Sequence, residues 1–122
     1  MFVGIARFVL RIPDSHSLKD RRQVVRSFKG RLASRMKLSI AEVGDVERHQ
    51  VAMLGVVTVS RESASCRKVL QDARRTASTL PDAILVDVKG EILSMGDNGA
   101  ELRGGIEAML NDRDGWFVET EE

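Results

Sequence analysis

Residues 1–43 read MFVGIARFVLRIPDSHSLKDRRQVVRSFKGRLASRMKLSIAEV. Along this stretch the apolar residues change period twice, from two to about 3.6 and back. In residues 2–12, Phe2, Gly4, Ala6, Phe8, Leu10 and Ile12 share one face, and Val3, Ile5, Arg7, Val9 and Arg11 the other. That alternation is a strand. Pro13-Asp14-Ser15-His16 breaks it. Ser17 suits a helix N-cap, and Asp20 follows three residues later, a capping-box pattern with Asp in place of Glu. Asp20 also suits the positive end of the helix dipole. From there to about Met36, Leu18, Val25, Phe28, Leu32 and Met36 recur at helical spacing, with Gly30 as the weak point. Residues 38–43 return to strand character.

Working outward, Gly44-Asp45 ends the second strand, and 45–50 is a polar loop. Residues 51–59 are β-branched and apolar, as expected of a central strand. Ser60 or Ser63 can cap a second helix with Cys66, Val69, Leu70, Ala73, Ala77 and Leu80 on its inner face, stopped by Pro81-Asp82. Residues 83–89 form a fourth strand, with a continuation through Gly90 to Met95 in view. The order β-α-β-β-α-β is the α/β (α+β) ferredoxin-like pattern: a four-stranded antiparallel sheet with two helices on one face. This domain covers residues 1–95. Residues 96–122 are a C-terminal extension, with a turn at 96–99 and a short helix expected over 100–110, weakened by Gly104-Gly105. Trp116-Phe117-Val118 is expected to dock on the domain or enter an interface.

The first strand's second face carries Val3, Ile5 and Val9 beside Arg7 and Arg11. It is too apolar to be fully wet, so cover by the extension or by a second copy is expected.

The chain has 122 residues, 43% of them hydrophobic and 30% charged, which suits one globular domain. Its one cysteine, Cys66, excludes an intrachain disulfide and argues against a cysteine-built metal site. Arg7 and Arg11 interrupt the apolar start, which makes a poor signal peptide, and no run reaches the ~18 apolar residues of a membrane helix. A cytoplasmic location is the expectation, with no membrane partner. The net charge of +1 conceals an asymmetry: residues 1–61 hold 12 Lys/Arg against 5 Asp/Glu, and residues 62–122 hold 7 against 13.

Most of the excess lies on the first helix, which holds Lys19, Arg21, Arg22, Arg26, Lys29, Arg31, Arg35 and Lys37 against Asp20 alone. At about 100° per residue, Lys19, Arg22, Arg26, Lys29 and Lys37 share a sector beside the apolar stripe. Arg31 and Arg35 fall on its other flank. Arg21 falls within the stripe and must snorkel out or find a partner. Cations one turn apart can track a phosphate backbone, and Arg matches phosphate bidentately. The competing reading is a solvated face whose long stems shield the core edge. A membrane-surface helix fits less well, because the apolar stripe is needed for the core. Tyr is absent, the third strand has no aromatic, and Phe2 and Phe8 share the core face. Base stacking on the sheet is therefore disfavoured, and an RNA contact is expected to work through phosphate and shape.

No catalytic constellation emerges. His16 and His49 lie in loops without an evident metal partner, and Cys66 sits on an apolar stripe as a buried thiol. Glu42 and Asp45 are placed to neighbour Arg7 or Arg11, as structural ion pairs. Gly96-x-x-Gly99 does not match a phosphate-binding loop. No enzyme activity, cofactor or metal is expected.

The segments carrying Ser17-Leu18-Lys19 with Arg22 and Val25, and Ala41-Glu42-Val43 with Asp45, together with the strand 51–60, resemble the YlxP-like family of small bacterial proteins, whose domain is of unknown function. The resemblance spans roughly residues 1–90. It implies a ferredoxin-like fold. Through genes that neighbour those of translation factors and ribosome-binding factor A, it also implies by association a role in ribosome maturation or RNA handling. The leading expectation is a non-enzymatic factor contacting ribosomal RNA or the small ribosomal subunit through Lys19, Arg21, Arg22, Arg26 and Lys29, with Arg7 and Arg11 extending the patch. The alternative is a protein-interaction module, such as a homodimer, using Val3, Ile5, Val9 and Trp116.

Overall fold

The computed structural model describes residues 1–96, 102–103 and 117–119. The elements are β1 (Phe2–Arg11), α1 (Leu18–Ala33), β2 (Ser39–Val43), β3 (Val51–Ser60), α2 (Ser63–Ser78), β4 (Ile84–Met95), β5 (Leu102–Arg103) and β6 (Phe117–Glu119). The first four strands lie in the order β2-β3-β1-β4, each antiparallel to its neighbours. With α1 and α2 this is the α+β ferredoxin-like fold. β1 is central, its whole length paired with β3 on one side and β4 on the other.

The period-two face of β1 is sorted as its side chains dictate. Ala6, Phe8, Leu10 and Ile12 are buried beneath the helices, whereas Ile5, Arg7 and Arg11 are exposed. Phe8 pairs in register with Leu54 and Val88, and its ring meets Phe28 of α1 edge-on, with centroids 5.8 Å apart. Gly4 allows α2 to sit close to the sheet. A Cβ there would lie 3.0 Å from Thr58 Cγ2 and 3.2 Å from Cys66 Cβ, tighter than ordinary packing, so both neighbours would have to give way.

The start of α1 is fixed by reciprocal capping. Ser17 Oγ accepts from the Asp20 amide at 3.1 Å, and Asp20 Oδ2 accepts from the His16 amide at 3.0 Å. The second helix begins differently. Its N-cap is Glu62, without a side-chain cap, while Ser60 Oγ accepts the Glu62 amide at 3.1 Å. Ser63 is the first helical residue, not the cap.

The fourth strand takes the continuation through Gly90 to Met95, with a register shift between Val9 and Leu10 of β1. Two expectations change. Leu18 is 36% exposed, and Arg21 takes its place in the buried stripe. The helix expected over 100–110 is replaced at Leu102–Arg103 by strand β5, antiparallel to the end of β4. β6 adds to the same strand in parallel, with Gly90 opposite Phe117. The long β4 leaves a row of backbone donors and acceptors to satisfy, which strand addition does and a Gly-Gly helix would not. The remainder of 97–116, with the expected turn and Trp116, lies outside the described residues.

Candidate functional site

Helix α1 lies over β2 and β3 and beside α2. Val25, Phe28 and Leu32 anchor it to the sheet, with Arg21 as the fourth buried position. At 4% exposure Arg21 is sealed beneath the helix, not displayed on it. Its Nη2 pairs with Glu42 Oε1, and those two atoms have no other polar partner among the described residues. Its Nε donates to the Val51 carbonyl at 3.0 Å. Arg21 therefore joins α1 to β2 and β3, and it leaves the set of residues free to contact a ligand. The β2 register explains why: Glu42 opposes Leu54, which opposes Phe8, so its carboxylate is on the helix side of the sheet. The expected pairing of Glu42 with Arg7 or Arg11 is overturned by the same register, because those arginines point to the other side.

Lys19, Arg22 and Arg26 are exposed and Lys29 is half-buried. Among the described residues their side chains take part in no hydrogen bond or ion pair. The opposite flank of α1 faces α2: Gln23, Val24 and Ser27 line a small groove with Leu80, Pro81 and Asp82. At about 100° per residue the Lys19–Arg22–Arg26–Lys29 row lies on the far flank, above edge strand β2. The one acid of the helix's first turn, Asp20, is held by the loop amide of His16. The row is thus a ridge of four cations at steps of three and four residues, with no internal counter-charge. At the other end of α1, Arg35 and Lys37 line an open groove of about 320 Å³ with Lys68 of α2, Thr58 and Ser60.

Arg7 and Arg11 do not extend this ridge. Both are on the open face, with the sheet between them and α1. Arg7 Nη2 contacts Asp87 Oδ2 at 3.2 Å, with both side chains about half exposed.

The histidines serve the loops. His49 Nδ1 lies 3.2 Å from the carbonyl of Ser15, which is itself buried, and Gln50 approaches the same carbonyl. Cys66 is fully buried. Among the described residues no group of three His, Cys, Asp or Glu is placed to hold a metal ion, and no helix is long and apolar enough to cross a membrane. Glu91, on the open face of β4, is the described group with a displaced pKa, raised by burial.

Residues 3–89 match the family described as Protein of unknown function (DUF503). The chain belongs to the DUF503 family. Comparison with curated proteins gives no match. The DUF503 match covers all of β1, except its first residue, through the first half of β4, so it includes the cation ridge and the Arg21–Glu42 pair and ends before β5 and β6.

Sequence reasoning missed Glu42 as the partner of Arg21. The signal was present in two halves: a cation inside an apolar helical stripe, and an acid at the strand position two residues from apolar Ile40. Only the sheet register brings the halves together.

Proposed function

We propose that this DUF503 protein is a non-enzymatic, cytoplasmic RNA- or ribosome-associated factor that grips phosphate through Lys19, Arg22, Arg26 and Lys29. The observation that carries this reading is the ridge itself: four cations along one flank of α1 without an acid among them. A solvated helix face ordinarily mixes both signs and gains i,i+4 pairing from doing so. This flank gives up that gain and repels itself, a cost that a polyanion would offset. The phosphate mode also accords with the open sheet face, whose described positions carry no aromatic on which a base could stack. The likeness to YlxP-like bacterial proteins supports a ribosomal target by association.

The test is co-sedimentation of the protein with small ribosomal subunits across a salt series, alongside Arg22→Glu/Arg26→Glu. Four phosphate contacts predict an affinity loss of about 50–150-fold between 50 and 200 mM salt. The double variant is expected to lose binding while its circular dichroism and melting stay those of the parent. Retained binding by the folded variant would remove the ridge from the function.

A further inference from the structure

The groove at the far end of α1 lies where the chain leaves one helix and, a strand later, starts the next. α1 ends at Ala33, and the chain turns through Arg35, Met36 and Lys37 before it enters β2. β3 overruns β2 here: Ser39 opposes Val57, so Thr58, Val59 and Ser60 extend past the start of β2. Thr58 Oγ1 donates to the Lys37 carbonyl at 2.8 Å, which fixes the turn against the sheet. α2 begins at Ser63, and its Lys68 and Val69 supply the facing wall. The groove of about 320 Å³ therefore has two kinds of lining. Arg35, Lys37 and Lys68 are exposed at its rim, whereas Met36 and Val69 are half-buried in its walls.

We infer that this groove seats one nucleotide of a bound RNA strand, with its phosphate among Arg35, Lys37 and Lys68 and its base against Met36 and Val69. The inference rests on the RNA reading of the ridge and adds a place where a base is held as well as the backbone. Charge is the first observation that selects this occupant. Among the described residues the three cationic side chains take part in no hydrogen bond or ion pair. The acid that lines the same groove, Asp72, already accepts from Arg75 Nη1 at 2.8 Å, so the cations keep their excess. Three like charges around one small groove repel, and a phosphate offsets that repulsion. The guanidinium fork of Arg35 suits it in particular.

The second observation is the apolar lining. Inorganic phosphate would leave Met36 and Val69 unmatched, and an apolar peptide would leave the cations unmatched. A nucleotide joins an anionic end to a flat aromatic face, and unpaired bases are held by such stacking and apolar contacts. The thioether of Met36 is a favourable neighbour for an aromatic ring. The volume is at the lower end of the roughly 300–1,000 Å³ of small-molecule sites, room for one nucleotide and not for a run of them. The third observation is continuity. Arg35 follows Lys29 by six residues, less than two turns of helix. A backbone that tracks Lys19, Arg22, Arg26 and Lys29 is thereby delivered to the groove.

At 13.5 kDa the full chain suits amide chemical-shift mapping by NMR, with AMP, CMP, GMP and UMP as probes. Shifts at Met36, Lys37, Ser65 and Val69 are expected, with a Kd of about 1 mM or tighter for at least one nucleotide. Ribose 5-phosphate and inorganic phosphate are expected to bind the groove at least tenfold more weakly. Lys37→Glu/Lys68→Glu, at two exposed positions, is expected to abolish the shifts with an unchanged melting temperature, and Arg22→Glu/Arg26→Glu to leave them intact. Absence of groove shifts with all four nucleotides overturns the inference, as do shifts that survive Lys37→Glu/Lys68→Glu. Ribose 5-phosphate binding as well as the nucleotides overturns the seating of a base. Shifts produced by a polyglutamate peptide and by no nucleotide overturn it in favour of an acidic protein segment. Nucleotide binding in the groove of a chain whose ridge variant still sediments with ribosomal subunits upholds the groove and removes the ridge. Loss of subunit binding in the ridge variant, with no nucleotide in the groove, does the reverse.

Discussion

Arg21 and Arg22 are adjacent in the chain and meet opposite environments. Arg21 is buried against Glu42 and the Val51 carbonyl; Arg22 stands in solvent with Lys19 and Arg26, in a row that the half-buried Lys29 completes. The helix turn of about 100° per residue is the whole difference between them. It makes one guanidinium part of the joint between α1 and the sheet, and the next part of a ridge with no structural duty. The charge excess on α1 therefore has two origins. One cation is held by the fold, and the outer row must be explained by something outside it.

The largest effect that would sharpen this division is expected at Arg21. Arg21→Ala leaves the Glu42 carboxylate partly buried without its partner and removes the donor to Val51. Breaking a buried pair on one side costs about 3–5 kcal/mol, and the 24% exposure of Glu42 places this case near the lower end. Urea denaturation should show the midpoint falling with the slope unchanged. Arg21→Met combined with Glu42→Leu is expected to recover most of that loss, because an apolar pair of similar volume removes both desolvation costs. A double variant as unstable as the single one would mean that the Val51 bond, not the ion pair, carries the joint.

A smaller effect is expected at the start of the same helix. Ser17→Ala removes the acceptor of the Asp20 amide and should cost about 1 kcal/mol in the same assay. Because the cap orients the first turn that carries Lys19 and Arg22, loss of polyanion affinity in Ser17→Ala beyond the loss of folded protein would tie the ridge to the cap. In the opposite direction, Gly30→Ala is expected to stabilise by about 0.5–1 kcal/mol. An added Cβ there meets nothing within 4 Å, and glycine in a helix interior is entropically costly.

The fold was legible because it rests on periodicity. The even positions of β1, the stripe through Val25, Phe28 and Leu32, and the face through Cys66, Leu70, Ala73 and Ala77 are each local patterns, and the β-α-β-β-α-β order follows from counting them. The joint at Arg21 was half legible. Its position in the stripe demanded a partner, but Glu42 is 21 residues away, and only the pairing of β2 with β3 places it beneath the helix. Arg7 and Arg11 were misjudged for a different reason, against a pattern that was in view. Their charge joins them to the ridge in composition, whereas the alternation of β1 puts them on the far side of the sheet. The strand at Leu102–Arg103 was illegible because two residues have no period. What selects strand there is the unsatisfied edge of β4.

The smallest stability effect is expected in the outer row, and it is the one that decides the comparison. Arg22→Glu/Arg26→Glu alters two exposed side chains that bond to nothing among the described residues. It adds acids that can pair with Lys19 and Lys29, each at a spacing of three residues. Exposed substitutions of this kind stay within about 0.5 kcal/mol, and two i,i+3 pairs in place of like charges make the sign mildly favourable. Thermal melting of the variant should therefore match or slightly exceed the parent. If reversal instead destabilised the chain by 2 kcal/mol or more, the row would belong to the fold as Arg21 does, and its lack of acids would no longer require an external partner. A melting temperature that rises as polyanion binding disappears would show that the row is kept at the expense of stability.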